Sequence, residues 1–404
     1  MVAIRGATLA GVAAAARLSR LGHDVTLHTA GVRPGGRWTP DSHQDHAVDA
    51  MPQVITLPAA WRDVFKKSGR AFDPELARAG LRLVAAPPAV HRFADGSELE
   101  LPTERGAQYH ALAARYGDAV AARWRTLLDD ADDVWLAARR AGVEAPHRPE
   151  SREAATLWLD RTLTDLADRI THPHLARILL DLRFSAGTSS LKAPGILATR
   201  LAIERTFGRW QVVDEQDLPQ PPSALLALLL SRAKTRGVRI TDEPTDSADI
   251  DCLPHCPKTP WWRPSVRPAD APQVSHRIDD RPPGAGVREI VDHAGPQAII
   301  AWERAVPDGR LVTTWDFRTP RHDLQWGIAP RRAQDVLARI SVGDGPPLRA
   351  SSCSLAGPEP WAELSSAALA VYELHERLTG EDCRPTNRDF TLPRLRRKSG
   401  LPQK

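Results

Sequence analysis

The sequence has few cysteines, no long apolar run and no dense charge of one sign. Its four cysteines lack the spacing of a disulfide framework, which excludes a disulfide-stapled domain and indicates a reducing compartment. The most apolar stretch, ALLALLL at 224–230, is far shorter than the roughly twenty residues that span a bilayer. No basic segment precedes an apolar run near the amino terminus, so no signal peptide is expected. These absences predict a cytoplasmic protein.

Charge and length limit the class of protein further. The formal net charge is +4, and the arginines are interspersed with acidic residues except in RLRRKSG at 394–400. A nucleic-acid partner is therefore not expected. With 42% hydrophobic and 26% charged residues, the 404-residue chain is predicted to be globular and to form two intertwined domains.

The amino-terminal segment has the pattern of a strand, a helix and a second strand. In IRGATLAGVAAAARLSRLGHDVTLHTAG (4–31), helix formers fill AAAARLSRL and VTL is a short apolar strand. A dinucleotide fingerprint reads G-x-G-x-x-G, with an acidic residue near the end of the next strand for the ribose hydroxyls. Here the pattern is Gly6, Thr8 and Gly11, and the strand ends in Thr29. The segment predicts a βαβ unit and leaves open whether it holds a dinucleotide.

The rest of the chain alternates between helical, strand and loop patterns. Residues 31–104 are predicted to form loop, a short helix and a hairpin at FADGSELEL, residues 105–235 to be mainly helical, and residues 243–284 to be a proline-rich loop. SALLALLLSRAKTRGVRI predicts a helix and a strand that returns to the first sheet, and QAIIAWERA and GRLVTTWDF predict strands. PEPWAELSSAALAVYELHERLTG predicts a closing helix, with proline before it and glycine after it.

Several segments, in this order, resemble one family. They are GATLAGVAAAARLSRLGHDVTL, GGRW at 35–38, VDAMPQVITLP, HRFADGSELELP, FSAGTSSLKAPGILATRLAIE and AGPEPWAELSSAALAVYEL. Together they resemble the phytoene desaturase-like, FAD-dependent oxidoreductases of the amine oxidase superfamily. The resemblance implies an α/β fold, with a Rossmann-like FAD-binding three-layer domain and an inserted, mostly helical substrate domain. It implies that residues 1–60, 220–250 and 345–385 form the first domain, and that 61–219 and 251–344 form the second.

The resemblance also implies FAD as the cofactor and a set of residues that contact it. In GGRW, backbone amides and the arginine would reach the cofactor phosphates. The predicted cofactor-binding residues are Gly6, Ala7, Thr8, Ala10, Gly11, Thr29, Gly35, Gly36, Arg37, Trp38, Gly357, Trp361 and Ala362.

The sequence departs from the family pattern at particular positions. Thr8 replaces the middle glycine, Thr29 the ribose-binding glutamate and Met51 a further glycine, and the chain is short after GVRI at 237–240. A charge-assisted hydrogen bond contributes about 1.5 to 3 kcal/mol, so losing the glutamate is expected to weaken FAD binding by roughly one to two decades. Changing Thr8 to Gly together with Thr29 to Glu is expected to raise FAD affinity.

Two functions remain open at this point. The first is a flavin oxidoreductase that transfers hydride from an isoprenoid or other apolar substrate to FAD, with possible peripheral membrane contact. The second is a cofactor-free descendant that serves as a binding or scaffold protein. Since the flavin supplies the chemistry, no catalytic residue is named. Substrate, electron acceptor and oligomeric state are not determined by the sequence.

Other candidate residues have simpler interpretations. Cys252, His255 and Cys256 lack a fourth ligand nearby, so no metal site is expected. Asp49 is interpreted as a hydrogen-bonding residue that holds a loop. Tryptophans could line a substrate tunnel, although core packing explains them equally well. They lie at positions 261, 262, 302, 315, 326 and 361.

Overall fold

The computed structural model describes residues 1–140, 154–256, 266–282, 284–337, 347–353 and 357–384. The helices are α1 (Leu9–Arg20), α2 (Pro58–Lys67), α3 (Phe72–Arg78), α4 (Arg105–Tyr116), α5 (Asp118–Ala138), α6 (Leu163–Asp168), α7 (Pro173–Ser185), α8 (Thr199–Phe207), α9 (Ser223–Thr235), α10 (Ala333–Leu337) and α11 (Pro360–Thr379). The strands are β1 (Val2–Arg5), β2 (Val25–His28), β3 (Asp41–His43), β4 (His46–Val48), β5 (Leu81–Ala85), β6 (Ala89–Arg92), β7 (Glu98–Leu101), β8 (Trp210–Asp214), β9 (Pro219–Gln220), β10 (Arg239–Thr241), β11 (Ile250–Asp251), β12 (Pro268–Asp279), β13 (Arg288–Asp292), β14 (Ile299–Val306), β15 (Gly309–Ile328) and β16 (Leu348–Arg349).

A parallel sheet contains the amino terminus. Its strand order is β10-β2-β1-β11-β16, and every neighbouring pair is parallel. Ile240 pairs with Leu27, which confirms that GVRI returns to the sheet of the amino-terminal βαβ unit. The Rossmann-like α/β fold is therefore confirmed, while the domain boundaries stay a prediction. In a parallel sheet all carboxyl ends lie at one edge, where α/β proteins bind their ligands.

Helix α1 is buried against this sheet over most of its length. Alanine and glycine in its first turns allow the close approach, and residues 9–18 are all buried. A Cβ added to Gly11 would lie 2.0 Å from the backbone oxygen of Gly6, so only glycine permits this packing of helix on strand. The predicted closing helix forms α11, which packs along α1 and ends at Gly380 in the left-handed conformation.

A second, six-stranded sheet is mostly antiparallel. Its order is β12-β15-β14-β13-β6-β7, in which β6 and β13 are parallel and the other pairs antiparallel. The predicted hairpin at FADGSELEL forms the turn between β6 and β7. Expecting only loop across 243–284 is wrong for Pro268–Asp279, which forms β12. Its prolines are tolerated because β12 is an edge strand with register shifts beside Pro268 and Pro272.

Helices α4 to α8 form the apolar layer beside the second sheet. Their buried faces share one core, which includes Leu112, Trp124, Leu128 and Leu179, as the helical spacing of apolar residues predicts. The helical prediction for 105–235 omits β8, which pairs with β5. None of the helices among the described residues is both long and apolar enough to cross a membrane.

Candidate functional site

The first candidate site lies where β1, β2, β10 and β11 reach their carboxyl ends. Gly6 follows β1 with a φ of +96°, a conformation that favours glycine. A Cβ at Gly6 would lie 2.9 Å from Cδ2 and 3.0 Å from the backbone nitrogen of Leu253. The turn into α1 is thus covered closely by the segment that follows β11.

Thr8 caps α1 from within this turn. Its Oγ1 accepts a hydrogen bond from the backbone N–H of Gly11 at 3.3 Å and donates one to the backbone oxygen of Cys252 at 3.2 Å. The first amides of a helix have no partner within the helix, and a threonine at this position supplies one. The departure from the fingerprint therefore replaces an open amide by a capped one.

The GGRW segment lies directly on Thr8. The backbone N–H of Gly35 donates to the oxygen of Ala7 at 2.7 Å, and Thr8 and Gly35 form a parallel bridge. A Cβ on Gly36, whose φ is +64°, would lie 3.3 Å from Cα of Thr8. The structure therefore brings together two of the predicted cofactor-binding segments, although their role in binding stays a prediction.

Arg37 and Trp38 contact a residue that the sequence analysis does not name, Glu363 of α11. Nη2 of Arg37 lies 2.8 Å from Oε1 of Glu363, and Nε1 of Trp38 donates to the same oxygen at 2.9 Å. The nearby backbone N–H of Ala10 also favours the charged carboxylate. Burial raises the pKa of Glu363, opposed by Arg37, and burial lowers the pKa of Arg37. Both side chains are almost fully buried.

Thr29 also has an acidic neighbour. Its Oγ1 donates to Oδ1 of Asp242 at 2.6 Å, and Asp242 directly follows β10, the strand beside β2. Asp242 is exposed. A carboxylate therefore lies at the edge where a dinucleotide fold presents its ribose-binding group, but it comes from the neighbouring strand.

The predicted residues of the closing helix lie elsewhere. Trp361 and Ala362 pack in a cluster with Leu57, Trp135 and Ile203, and the Trp135 and Trp361 rings are 5.8 Å apart. Gly357 is buried, with a φ of +91°. Their contacts are those of an apolar core, so their assignment to the cofactor stays a prediction.

Asp49 holds a loop, as the sequence analysis predicts. It accepts hydrogen bonds from the backbone N–H of Met51 at 3.0 Å, from Nε2 of Gln53 at 2.7 Å and from the backbone N–H of Ser223 at 2.7 Å. Burial raises the pKa of Asp49. Met51 itself is fully buried in the core. Within the described residues, no three His, Cys, Asp or Glu side chains are grouped so as to hold a metal ion.

The second candidate site is a cavity between the second sheet and helices α7 and α8. It encloses ≈ 980 Å³ of non-protein space, its opening to solvent included. Aliphatic side chains and two tryptophans line much of its wall, among them Ile178, Leu201, Ile300, Trp302 and Trp315. Charged side chains complete the wall, among them Arg200, Glu204, Arg205 and Glu289, so the cavity has one apolar part and one polar part.

Three polar side chains of the cavity wall form a hydrogen-bonded row. Oδ2 of Asp181 lies 2.7 Å from Nδ1 of His293, and Nε2 of His293 lies 2.9 Å from Nδ1 of His91. The carboxylate accepts from His293 Nδ1–H, so His293 Nε2 accepts from His91 Nδ1–H, and His91 Nε2 keeps a lone pair. Burial, with His293 and Arg209 nearby, holds the pKa of His91 well below its usual range. His91 is therefore neutral near pH 7.

A row of tryptophans joins the two sites. Trp302 and Trp315 line the cavity, and their ring centroids are 5.0 Å apart. Trp315 packs against Trp326 at 4.9 Å, and Trp326 against Trp38 at 5.8 Å. The guanidinium of Arg37 lies 4.0 Å from the Trp38 ring centroid. The sequence positions 261 and 262 lie outside the described residues.

The first site retains the donors that a dinucleotide diphosphate requires. Nε and Nη1 of buried Arg37 have no hydrogen-bond partner. A buried guanidinium with free donors is suited to a phosphate. The donor set therefore fits the diphosphate, although Thr8 already caps one amide of α1 and Glu363 lies near a second.

Comparison with known proteins agrees with this geometry. Residues 4–68 match the family of NAD(P)-binding Rossmann-like domains. Hydroxyneurosporene desaturase of Cereibacter sphaeroides is 33% identical over 252 residues, which are 59% of this chain and 48% of that protein. Phytoene dehydrogenase of Streptomyces griseus is 32% identical over 178 residues, 44% of this chain and 31% of that protein. The predicted resemblance to the phytoene desaturases is confirmed. The match spans about half the length of the first relative and about a third of the second.

Solved structures support the fold of this chain. Putrescine oxidase bound to putrescine has a TM-score of 0.56 and 14% identity, over 93% of this chain and 98% of that chain. RAB GDI from Plasmodium falciparum has a TM-score of 0.52 and 9% identity, over 94% of this chain and 98% of that chain. These likenesses establish the fold and leave the activity to be proposed.

Several residues of the two candidate sites have no recognisable motif in the sequence. Glu363 stands in the first turn of a helix after Pro360, where an acidic residue is ordinary because it complements the helix dipole. Asp242 follows the predicted strand GVRI, and an acidic residue at the end of a strand is the pattern that could have identified it. Asp181, His91 and His293 come from three separate elements. No spacing in the sequence links them.

Proposed function

We propose that the chain is a flavin-dependent oxidoreductase of the phytoene desaturase type that acts on an isoprenoid or another apolar substrate. The sequence likeness to desaturases and the retained donors for a diphosphate support this function. The observation that carries it is the tryptophan row, because Trp315 of the cavity wall packs on Trp326 and Trp326 packs on Trp38, so the cavity and the dinucleotide-type site are neighbours. A substrate that passes hydride to a cofactor must lie beside that cofactor.

In this proposal the residues of the chain bind and orient. FAD, when bound, accepts the hydride from a substrate carbon. Arg37 would hold a phosphate through Nε and Nη1, while Gly11 lets α1 pack close against β1 at the edge of the sheet. Trp302 and Trp315 exclude water from the apolar substrate. Desaturation also releases a proton, and His91 Nε2 accepts it, with His293 oriented by Asp181.

Flavin binding tests the proposal directly. The purified protein, incubated with FAD and freed of excess, is expected to show flavin absorbance and to quench flavin fluorescence. Arg37→Gln is expected to weaken FAD binding by about ten- to a hundredfold, since it removes a charged hydrogen-bonding group. Arg33→Gln is the matched control, because Arg33 is an exposed arginine of the same loop. No FAD binding by the parent protein would overturn the proposal.

A cofactor-free binding protein is the second candidate, and one observation favours it. The amides and the guanidinium that would hold a diphosphate already contact Thr8 and Glu363. This candidate predicts that a fluorescent apolar probe enters the cavity while FAD does not bind. Replacing Ile300 by Asp in the cavity wall should abolish the probe binding in either case.

Contact with a membrane surface belongs to the same proposal. An isoprenoid substrate partitions into lipid, so we expect the protein to bind membranes peripherally while it takes up substrate. Flotation with liposomes, with and without an isoprenoid in the lipid, measures this. Protein that stays in the dense fractions in both cases would argue against delivery of the substrate from a membrane.

A further inference from the structure

The carboxylate of Glu363 lies where the first site would receive an anion. It lies 2.8 Å from Nη2 of Arg37 and 2.9 Å from the indole nitrogen of Trp38, with the backbone N–H of Ala10 in the first turn of α1 nearby. A helix amino terminus together with an arginine is the arrangement that proteins use to bind a phosphate. Here the acceptor is supplied by α11 of the same chain.

The burial of this group shows that the site requires an anion. The side chains of Arg37 and Glu363 are 7% and 5% exposed. Two of the donors of Arg37 remain without a partner, although the guanidinium is surrounded by protein. An isolated buried charge is very unfavourable, so the positive site remains folded only when an anion neutralises it.

We propose that Glu363 is an internal substitute for a phosphate group and that it holds the dinucleotide-type site closed in competition with a phosphate-bearing ligand. The inference rests on the proposed function only for the identity of that ligand, a flavin dinucleotide. A phosphate on Nε and Nη1 of Arg37 would lie beside the Glu363 carboxylate on Nη2, and like charges in a buried site repel strongly. A ligand phosphate binds when the Glu363 carboxylate is displaced.

Inorganic pyrophosphate tests the substitution without any flavin. Glu363→Gln removes the acidic group that contacts Arg37 and leaves the buried guanidinium with only the more distant carboxylates of Asp323 and Glu359, so the melting temperature should fall. Millimolar pyrophosphate should then raise the melting temperature of E363Q by about 5 °C or more, and that of the parent protein by less than about 1 °C. Sodium chloride at equal ionic strength should not reproduce the effect. An equal response of the two proteins to pyrophosphate would overturn the inference.

Two control variants locate the effect. Glu75→Gln removes a glutamate of α3 that lies 2.6 Å from buried Arg232, away from Arg37, and should gain no response to pyrophosphate. Arg37→Gln combined with E363Q should lose the response, because the guanidinium is gone. If E363Q is insoluble, refolding replaces melting: the inference requires soluble protein to be recovered with pyrophosphate and not with chloride. Equal recovery in both salts would contradict it.

FAD affinity separates this inference from the proposed function. The E363Q variant should bind FAD at least about tenfold more tightly than the parent protein. If only the variant binds, Glu363 closes the site and the natural chain is not flavin-dependent. Equal binding by both upholds the proposed function and overturns the role of Glu363. Failure of both to bind overturns the two together.

Discussion

The polar groups at the edge of the parallel sheet and those in the cavity beside the second sheet differ in their hydrogen-bond partners. At the sheet edge, Thr8 caps the amide of Gly11, and Glu363 neutralises Arg37. In the cavity, Asp181, His293 and His91 bond to one another and leave the last acceptor atom available. The first region gives internal partners to its ligand-binding groups except Nε and Nη1 of Arg37, whereas the second keeps space and a free acceptor.

The difference shows that the backbone frame of a dinucleotide fold does not depend on the polar partners of its ligand site. Gly6 and Gly11 still let α1 pack on β1, because that packing is steric and needs no ligand. The polar groups exposed by the same turn must find partners when buried, whether from a ligand or from the chain. With Thr8 and Thr29 at the fingerprint positions, the polar groups of the turn therefore have partners within the chain, and the fold is retained.

The largest effect is expected from the steric frame of the first region. Gly11→Ala places a Cβ 2.0 Å from the backbone oxygen of Gly6, so α1 must move away from β1. We expect the free energy of unfolding to fall by about 3 kcal/mol, the upper end for overpacking. Urea titration followed by circular dichroism measures it.

The control for this prediction is a glycine in the first turn of another helix. Gly106 of α4 would place its Cβ 3.2 Å from the mobile side-chain oxygen Oε2 of Glu104. Gly106→Ala should change the free energy of unfolding by no more than about 1 kcal/mol, in the stabilising direction. Similar losses in both variants would show that the close packing at Gly11 is not special.

The polar row of the cavity should give the second largest effect. Asp181→Asn weakens bonds to His293 and to Nε of Arg177, each 2.7 Å long. A hydrogen bond to a charged group contributes about 1.5 to 3 kcal/mol, so a loss of about 2 kcal/mol in unfolding free energy is expected. Asp168→Asn, at an exposed position of α6, serves as control and should stay within about 0.5 kcal/mol of the parent protein. An equal loss of unfolding free energy in Asp168→Asn would show that the hydrogen-bonded row does not stabilise the fold.

The pH dependence of stability tests the neutral state of His91. Its folded pKa lies well below the usual 6.5, so the unfolded chain takes up a proton first as pH falls. The stability contributed by His91 is complete above pH 6.5, and about 1 kcal/mol of it should be lost between pH 6.5 and 5.5. His91→Asn should remove that part of the pH dependence in urea titrations at the two pH values.

A surface histidine distinguishes this effect from general acid sensitivity. His110 is exposed on α4, so His110→Asn should reproduce the pH profile of the parent protein. The other histidines are common to all three proteins and cancel in the comparison. If the His91 and His110 variants show the same profile, His91 is not held neutral by the fold.

The smallest stability effect is expected at Thr8. Thr8→Gly should cost about 0.5 kcal/mol, because glycine is an acceptable residue at the helix cap. It should also free the Gly11 amide and raise FAD affinity about tenfold, as one hydrogen bond would. Thr8→Ser keeps the hydroxyl and should leave both quantities unchanged. Adding Thr29→Glu should reduce the gain, since the new carboxylate would face Asp242.

Part of the fold could be predicted from local pattern. The βαβ unit, the hairpin at 93–101 and the closing helix follow from apolar periodicity and from glycine and proline at the boundaries. Strand β12 could not be predicted in this way, because its prolines read as loop unless the strand is known to lie at a sheet edge. The return of GVRI to the first sheet was predictable from the resemblance and from the helix before it.

The sequence by itself determined the frame, since glycine at 6 and 11 and a run of alanines dictate how closely a helix can approach a strand. It also determined that the fingerprint departs at Thr8 and Thr29. Only the tertiary structure decided what those departures mean. Arg37 and Glu363 are 326 positions apart, and His91 and His293 are 202 apart, so no local pattern records their contact. Buried charges and hydrogen-bond acceptors need partners, and here those partners come from parts of the chain that are distant in sequence.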